Sequence, residues 1–260
     1  MRAIWSGTIS FGLVNIPVKL GSAVQSEGLD FDMLSKKDMA PIRYARIDTK
    51  TNKEVAWQDI VKGFEYTKGK YVIVEDDDFK KASPEKSQSI DIIQFVKQEE
   101  IDPIYFEKPY FLVPGKGGEK SYRLLVKALQ KTGAVGIAEF MLRNRQHICM
   151  LKVHEDILLL EQLRYHEEIR EIPDVGSGKT DRVTEKELNL AVKLIDQLTE
   201  KFNPKSFKDT YVNELKKLIK AKAQGKQIKA VEPRKPAAPV KDLMDVLQAS
   251  LEKRKERKRA

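Results

Sequence analysis

The chain offers few side chains whose type and spacing could support catalysis or hold a metal ion. Its three histidines, His147, His154 and His166, are not spaced as metal ligands, and no pair of cysteines accompanies them. The one cysteine, Cys149, lies in the apolar stretch HICMLKV, which is typical of a buried structural thiol. We therefore predict a protein that is not an enzyme and that binds no metal ion or cofactor.

A glycine-containing stretch, GSGKT at residues 176–180, resembles the end of a phosphate-binding loop. The full motif requires a glycine five positions before Gly178, but Pro173 stands there. The motif also follows a buried strand, whereas the residues before this stretch are acidic. A flexible glycine turn is therefore the better interpretation of these residues.

Basic residues interleaved with aromatic residues are the strongest chemical signal in the chain. Between Ser35 and Lys70 there are nine Lys and Arg against five Asp and Glu, a net charge of +4. The cations are Lys36, Lys37, Arg43, Arg46, Lys50, Lys53, Lys62, Lys68 and Lys70. Such a row suits the phosphates of nucleic acid. The alternative is a solvated hairpin whose charges only keep it soluble.

The excess positive charge is concentrated at the C-terminal end of the chain. From Lys220 onward there are thirteen Lys and Arg against five Asp and Glu, which is +8 of the total formal charge of +9. Basic tails of this kind engage polyanions, either nucleic acid or an anionic membrane.

No apolar run is long enough to span a membrane, and the N-terminus lacks the features of a signal peptide. We expect a cytoplasmic protein.

The elements that must position the cations are mainly short β-strands separated by glycine and proline turns. Strand patterns occur over residues 2–24 (two strands), 89–96, 104–113 and 134–164 (a meander). Pro17 is expected at an edge or a strand start. The segment ILLLEQL fits a strand or a buried helix equally well. Many short strands favour a β-barrel or a sandwich.

Two groups of cations are attached to this predicted β body. The pieces IRYARI and KYVIVED bracket the turn-rich stretch DTKTNKE, which predicts an extended β excursion held out from the body. Arg143 and Arg145 lie at a turn of the meander and are the other candidates for phosphate contact. Asp76–Asp78 predict the acidic start of a helix after the excursion.

A short helix is predicted between the strands of the body. Ser121 is expected to cap it, and Gly133 to end it. Its apolar face is predicted to contain Tyr122, Leu125, Ala128 and Leu129.

After Pro173 the chain becomes helical. Thr184 and Glu187 fit a capping box. The first helix carries the apolar stripe Leu188, Val192, Ile195, Leu198 and Phe202. A second helix is predicted after Pro204 with Tyr211, Leu215, Leu218 and Ile219 facing inward and Gly225 at its end. This helix pair must bury its stripe on its own body or on a partner chain.

The last residues combine a linker, a helix and a basic tail. The stretch QIKAVEPRKPAAPV is a Pro-rich linker, and VKDLMDVLQASL is an amphipathic helix that is too short to be stable alone. Its apolar residues are Leu243, Met244, Leu247 and Leu251, with Val240 at its start. The chain then ends in EKRKERKRA.

Four long blocks resemble the bacterial Ku family of DNA-end-binding proteins. They are RAIWSGTISFGLVNIPVKL, VKGFEYTKGKY, IDPIYFEKPYFLVP and LLLEQLRYHEEIR. The resemblance covers essentially the whole chain. It implies a mixed β/α fold: a Ku-type β-barrel core over residues 1–175, a DNA-encircling bridge at about 34–74 and a helical dimerisation arm at 181–225. A linker at 226–240 and a ligase-recruiting helix with a basic tail at 241–260 would complete the chain.

The resemblance also implies a function. A ring-shaped homodimer would bind double-stranded DNA ends without sequence specificity and recruit an ATP-dependent ligase in non-homologous end joining. Leu188, Val192, Ile195 and Leu198 would then make the dimer contact, and Leu243, Met244, Leu247 and Leu251 the ligase contact. Many relatives carry bridge cysteines that look like a zinc loop. This chain has none there, so no metal is predicted.

Two other functional classes remain open at this point. A single-stranded nucleic-acid-binding barrel would expose aromatic side chains on a sheet. Tyr44, Phe64, Tyr66 and Tyr71 could fill that part, although we expect them to pack within the bridge. A scaffolding protein whose tail alone binds nucleic acid is the other alternative.

Overall fold

The structure is a computed structural model that describes residues 2–25, 28–82, 88–143, 145–174 and 183–226. It divides before Pro173 into two compact units, which are treated separately below. Across these described ranges, none of the helices is both long and apolar enough to cross a membrane.

Within its described residues the first unit contains nine strands and two α-helices. The strands are β1 (Trp5–Phe11), β2 (Val14–Ser22), β3 (Lys62–Thr67), β4 (Lys70–Val74), β5 (Ser89–Lys97), β6 (Phe106–Pro114), β7 (Ala134–Leu142), β8 (Arg145–His154) and β9 (Ile157–Leu163). The helices are α1 (Asp76–Ala82) and α2 (Glu119–Thr132).

Seven strands close into a barrel in the order β1, β2, β6, β9, β8, β7, β5. Neighbours are antiparallel except β1 and β5, which run parallel. The predicted barrel is therefore confirmed, and ILLLEQL forms strand β9 rather than a helix. Closure leaves these strands no free edge, so their backbone groups pair within the barrel. Its interior contains Ile9, Leu20, Leu112, Leu151 and Leu160, each 0% exposed.

Pro17 lies inside β2 rather than at its start. It pairs with Thr8 of β1, but the pairing of β2 with β6 begins only at Val18. On that side Pro17 is therefore at an edge, where its missing N–H costs no ladder hydrogen bond.

Helix α2 joins the barrel core where β9 begins. The Tyr122 hydroxyl donates to the carbonyl of Leu112 and accepts from the amide of Leu158, both at 2.7 Å. The phenol thus connects α2 to β6 and β9 while its ring lies in the core. Burial raises the pKa of this tyrosine.

The predicted start and face of α2 need two corrections. Ser121 is not the cap, because the helix begins at Glu119 after a glycine N-cap. Ala128 is exposed, and Val126 completes the buried face instead. Gly133 ends the helix as predicted, with a φ of 65° that only glycine adopts at little cost.

The excursion between β2 and β5 leaves and re-enters the barrel at the same end. Strand β5 runs parallel to β1, and β2 runs antiparallel to it, so the end of β2 and the start of β5 face one way. Strand β7 is antiparallel to β5, so the turn at Arg143 that follows β7 lies at this end too. The two predicted groups of cations therefore start from one end of the barrel.

The bridge, residues 34–74, consists of turns, a short 3-10 helix (Trp57–Asp59) and one hairpin. Two isolated backbone pairs, Leu34 with Pro41 and Ile47 with Glu54, each close a turn. The predicted strand IRYARI is wrong, since it contains no regular strand. The strand in KYVIVED is confirmed as β4, and it pairs with β3, which the sequence did not predict as a strand.

The second unit contains two helices in its described residues, α3 (Glu185–Leu198) and α4 (Thr210–Ala223). The capping box is confirmed, because the Thr184 hydroxyl accepts from the Glu187 amide and the Glu187 carboxylate accepts from the Thr184 amide. Phe202 lies beyond the end of α3 and so does not extend its stripe. Tyr211 and Ile219 are 73% and 39% exposed and do not face inward as predicted.

Candidate nucleic-acid interface

The bridge has no core of its own. Across its described residues, 34–74, no side chain is buried. Every side chain of β3 and β4 is exposed except that of Val74, which is half-buried. A segment built in this way presents all of its charges and all of its apolar groups to whatever surrounds it.

The lysines of the bridge lie mainly in its turns. Lys36 and Lys37 lie in the first turn, Lys50 and Lys53 in the second, and Lys68 and Lys70 flank Gly69 at the hairpin turn. Arg43 lies in the extended stretch between the first two turns. In the described part of the chain no carboxylate forms an ion pair with any of these seven cations. They are therefore available to an external anion.

Arg46 stacks on an aromatic ring. Its guanidinium carbon lies 4.4 Å from the centroid of the Trp57 ring, and the backbone of Arg46 accepts from the Val55 amide. Stacking uses the face of the guanidinium and leaves its edge N–H groups free for a phosphate. The contact orients Arg46 without neutralising it.

Lys62 has partners at the base of the hairpin. Its ammonium lies 3.1 Å from the Asp76 carboxylate and 4.8 Å from the centroid of the Phe79 ring. Both partners belong to α1, so Lys62 connects the hairpin to the helix that follows it. Its charge is compensated, in contrast to those of the turn lysines.

The two arginines near the end of the barrel differ from each other. Arg143 occupies the turn with a φ of 54°, whereas Arg145 begins β8 and its Nη2 lies 2.6 Å from Oε1 of Glu168. The Tyr165 amide and the Arg145 guanidinium lower the pKa of Glu168, so the pair is charged at neutral pH. Arg145 anchors the turn, and Arg143 is the better candidate for an external phosphate.

A polar cluster supports this turn from inside. The Gln162 amide group is hydrogen-bonded to Glu107 at 2.9 Å, to His147 Nδ1 at 3.0 Å and to the Tyr110 hydroxyl at 3.4 Å. Burial, assisted by the Arg145 charge, lowers the pKa of His147 and favours the neutral imidazole. His147 is therefore a hydrogen-bonded structural histidine.

Cys149 is 0% exposed in the barrel, and burial raises the pKa of its thiol far above the usual value. The thiolate is the reactive form, so this cysteine is not a nucleophile. Over the described ranges, no group of three His, Cys, Asp or Glu side chains is arranged to hold a metal ion.

The second unit exposes its apolar stripe. Leu188, Val192, Ile195 and Leu198 are 45% to 61% exposed, and no side chain in the described residues 183–226 is buried. An amphipathic helix with this much exposed apolar surface lacks the packing partner that normally stabilises it.

Sequence reasoning missed a set of exposed apolar side chains on the bridge. They are Trp57, Phe64, Tyr66, Tyr71, Val72 and Ile73, each between 49% and 72% exposed. The alternation of apolar residues in VKGFEYTKGKYVIV was the available signal. Tyr44, Phe64, Tyr66 and Tyr71 were expected to pack within the bridge, but all four are exposed.

The predicted ligase contact, Leu243, Met244, Leu247 and Leu251, lies outside the described residues. The same holds for the basic tail and for GSGKT at 176–180.

Comparisons with known proteins agree with the sequence resemblance. Residues 10–190 match the family described as the Ku70/Ku80 beta-barrel domain. The chain is 42% identical to the non-homologous end joining protein Ku of Bacillus subtilis (97% of this chain, 82% of that protein). It is 42% identical to the Ku protein of Opitutus terrae (96% and 91%) and 39% identical to that of Pseudomonas aeruginosa (97% and 89%).

A solved structure, the SPOC domain of human PHD-finger protein 3, is similar with a TM-score of 0.30 and 13% identity, over 62% of this chain and 95% of that one. The names of the three bacterial relatives refer to end joining, and none is that of an enzyme. The family match covers more than half of this chain, and relatives about 40% identical to it align over most of their length. The chain therefore belongs to the Ku family.

Proposed function

We propose that this protein binds double-stranded DNA ends without sequence specificity, as a ring-shaped homodimer, in the nucleoid during non-homologous end joining. The names of its relatives support the pathway. The observation that carries the proposal is the bridge, a long segment without a buried side chain whose turns carry exposed lysines that form no ion pair among the described residues. A segment of this kind is built to contact partners.

Two surfaces support a homodimer. The α3 stripe centred on Ile195 and the hairpin face that includes the paired residues Phe64 and Val72 expose large apolar side chains. Burying such area is favourable by about 25 cal/mol per Å². Each surface recurs on a second copy of the chain, so a two-fold dimer that buries one copy of either surface also buries its equivalent on the partner.

The binding mode follows from the chemistry of the bridge. Its cations are mostly lysines on turns, and phosphate contacts by such side chains give affinity but carry no base sequence. Specificity for ends then comes from topology, because a closed ring can be entered only from a free DNA end.

Competition between linear and covalently closed circular DNA tests this function. Linear DNA of the same length and sequence should compete for the protein, whereas relaxed closed circles should compete much less well. Nicked circles serve as the control, since they contain a broken strand but no duplex end. Equal competition by all three forms would contradict end recognition.

Single-stranded nucleic acid is a second candidate ligand, because Tyr44, Phe64, Tyr66 and Tyr71 are exposed beside cations. Base stacking on such rings contributes about 1–3 kcal/mol per base. Val72 and Ile73 share the hairpin and suit a protein surface better than a stacked base. An oligonucleotide of unpaired thymidines that displaced duplex DNA at equal phosphate concentration would favour this alternative.

We also propose that the C-terminal helix recruits an ATP-dependent end-joining ligase. The spacing of its leucines predicts one apolar helix face, and the segment follows a Pro-rich stretch of sequence, which suits the binding of a helix in a partner's groove. The double change Leu243→Ala and Leu247→Ala should remove stimulation of ligation and leave end binding intact. Equal loss of ligation and of DNA-end binding would show that this helix belongs to the DNA-binding part of the protein.

The tail should act separately from that helix. Lys253–Arg259 add non-specific affinity for DNA and limit inward sliding of the ring. Removing residues 226–260 should leave duplex-end binding by the remainder. Complete loss of DNA binding would instead support a scaffold whose tail alone holds the nucleic acid.

A further inference from the structure

Two turns of the bridge share one hydrogen-bonding plan. The pair Ile47 and Glu54 closes the second turn thirteen positions after the pair Leu34 and Pro41 closes the first. In each, the first amide of the six-residue loop donates to the last carbonyl, from Ser35 to Ala40 at 2.8 Å and from Asp48 to Lys53 at 2.9 Å. The turns are therefore structural repeats.

The repeat extends to the backbone conformation. In each loop the fifth amide donates to the first carbonyl, and both of these bonds measure 2.8 Å. The fifth residues, Met39 and Asn52, have positive φ angles of 58° and 57°. Methionine rarely adopts this conformation. Some interaction within the loop must hold it there.

A carboxylate and a hydroxyl occupy the first and fourth positions of each loop. In the second turn, Oδ1 of Asp48 accepts from the amides of Lys50 (2.9 Å) and Thr51 (2.7 Å) and from the Thr51 hydroxyl (3.1 Å). In the first turn the order is reversed: Oδ1 of Asp38 accepts from the Ala40 amide (3.2 Å), and the Ser35 hydroxyl lies beside the Asp38 carboxylate. These hydrogen bonds lower the pKa of both aspartates.

The third position of each loop is a lysine, Lys37 in one and Lys50 in the other. The hairpin turn uses a related device, because Oε1 of Glu65 accepts from the Gly69 amide at 2.7 Å between Lys68 and Lys70. Each lysine-bearing turn of the bridge is thus held by an acid of its own.

We propose that Asp38 and Asp48 are positioning residues that hold Lys37 and Lys50 at matched points of two repeated turns, where each lysine contacts a DNA phosphate. This inference rests on the proposed function. The bridge lacks a core, so hydrogen bonds within the loop are what limit the lysine backbone to one conformation. A lysine held in this way loses less conformational entropy when it binds.

A purely electrostatic role for these acids predicts the opposite change in DNA affinity when they are removed. If Asp48 acted only through its charge, it would repel phosphate, and its removal would strengthen DNA binding. If it positions Lys50, its removal weakens binding even though the bridge becomes more positive. The direction of the change therefore separates positioning from plain electrostatics.

The test compares four variants of the full-length protein, Asp48→Ala, Asp48→Asn, Lys50→Gln and Asp59→Ala, in binding linear duplex DNA over a range of salt concentrations. Lys50→Gln removes one contact from each bridge of a dimer, which lowers the slope of log affinity against log salt by about 1.8. Asp48→Ala should lower it equally and weaken binding at 0.1 M salt by about tenfold or more. The double variant with Asp48→Ala and Lys50→Gln should lower the salt slope no further than either change alone.

Asp48→Asn keeps the accepting oxygen and removes the charge, so it should bind DNA at least as tightly as the unchanged protein. Asp59→Ala removes the same charge elsewhere on the bridge and should also bind slightly more tightly. Asp38→Ala with Lys37→Gln repeats the comparison at the first turn. Equal thermal melting of all variants excludes unfolding as the cause.

Two failures can be told apart. If Lys50→Gln lowers the salt slope but Asp48→Ala strengthens binding as Asp59→Ala does, positioning is wrong and the phosphate-binding bridge stands. If the unchanged protein shows no preference for linear DNA and no salt slope, the proposed function itself is wrong.

Discussion

The barrel and the bridge belong to the same unit of the chain, but different forces hold them. The barrel closes seven strands around aliphatic side chains that are 0% exposed, such as Leu112 and Leu160. The bridge buries no side chain between residues 34 and 74, all of which are described, and its local order comes from turn hydrogen bonds and one hairpin. The barrel buries its apolar side chains within itself, whereas the bridge requires partners to bury its surface.

Sheet edges show the same difference. The barrel has no free strand edge, but the β3–β4 hairpin has two. An isolated hairpin is only marginally stable in water, and exposed apolar edges promote association. Dimerisation and DNA binding are therefore expected to cover the exposed surface of the bridge while leaving the barrel unchanged.

The largest expected effect comes from the arm, which shares the lack of a core with the bridge. Ile195→Asp places a charge in the middle of the α3 stripe and should leave monomer or aggregate that binds no DNA. Sedimentation and gel shift measure both. The matched control is Asn189→Asp, which adds a charge about 100° around the helix from Leu188. A well-behaved monomer of the unchanged protein in sedimentation would contradict this prediction.

The next prediction concerns the barrel alone. Leu160→Ala removes a fully buried side chain and should lower the free energy of unfolding by about 2–5 kcal/mol. Leu124→Ala makes the same change on α2 where the side chain is 69% exposed, and should change it by less than about 0.5 kcal/mol. Thermal or urea unfolding followed by circular dichroism compares them. Similar losses in both would show that the barrel is not the stable part.

A smaller effect separates free from compensated cations. Arg43→Gln removes a charge with no ion pair among the described residues and should lower the salt slope of DNA binding by about 1.8 in a dimer. Lys62→Gln removes a charge that already pairs with Asp76, so the slope should hardly change. The loss at Arg43 should be equal for different DNA sequences. A change in base preference would contradict a phosphate contact.

The smallest effect is chemical and leaves stability unchanged. Burial raises the pKa of Cys149, so the folded-state thiol remains protonated and inaccessible as pH rises through the range where a free thiol ionises. A thiol reagent at pH 8 to about 9 should react only after the barrel unfolds, and DNA should not alter this. Rapid labelling of the native protein would place Cys149 in an open site.

Limited proteolysis should cut the bridge before the barrel, and bound DNA should protect the bridge from cleavage.

The sequence predicted the barrel better than the bridge for a physical reason. Strands that pack on their own core alternate apolar and polar residues, so β5 and the meander could be recognised directly. ILLLEQL required the structure, because a short apolar run is compatible with a strand or a helix. The start of α2 was misplaced at Ser121, since serine is a favoured cap but Gly118 provided the turn.

In the bridge, alternation of apolar and polar residues does not identify strands, because there is no core for a strand to pack on. IRYARI alternates like a strand but has no sheet to join, while VKGFEYT forms β3 only because β4 pairs with it. Which cations are free also depended on tertiary contacts, as the partners of Lys62 and Arg145 show. The matched turns at residues 35–40 and 48–53 have little sequence similarity and were recognisable only from their hydrogen bonds.

Topological trapping tests the central claim most directly. The protein is loaded on linear duplex DNA, the ends are joined to form a closed circle, and the complex is then washed at high salt. A ring that encircles DNA should remain bound to the closed circle and dissociate when a restriction enzyme cuts that circle. In the same wash it should dissociate from linear DNA that was not circularised. Loss from circles and linear DNA alike would show that the bridge contacts the duplex without enclosing it.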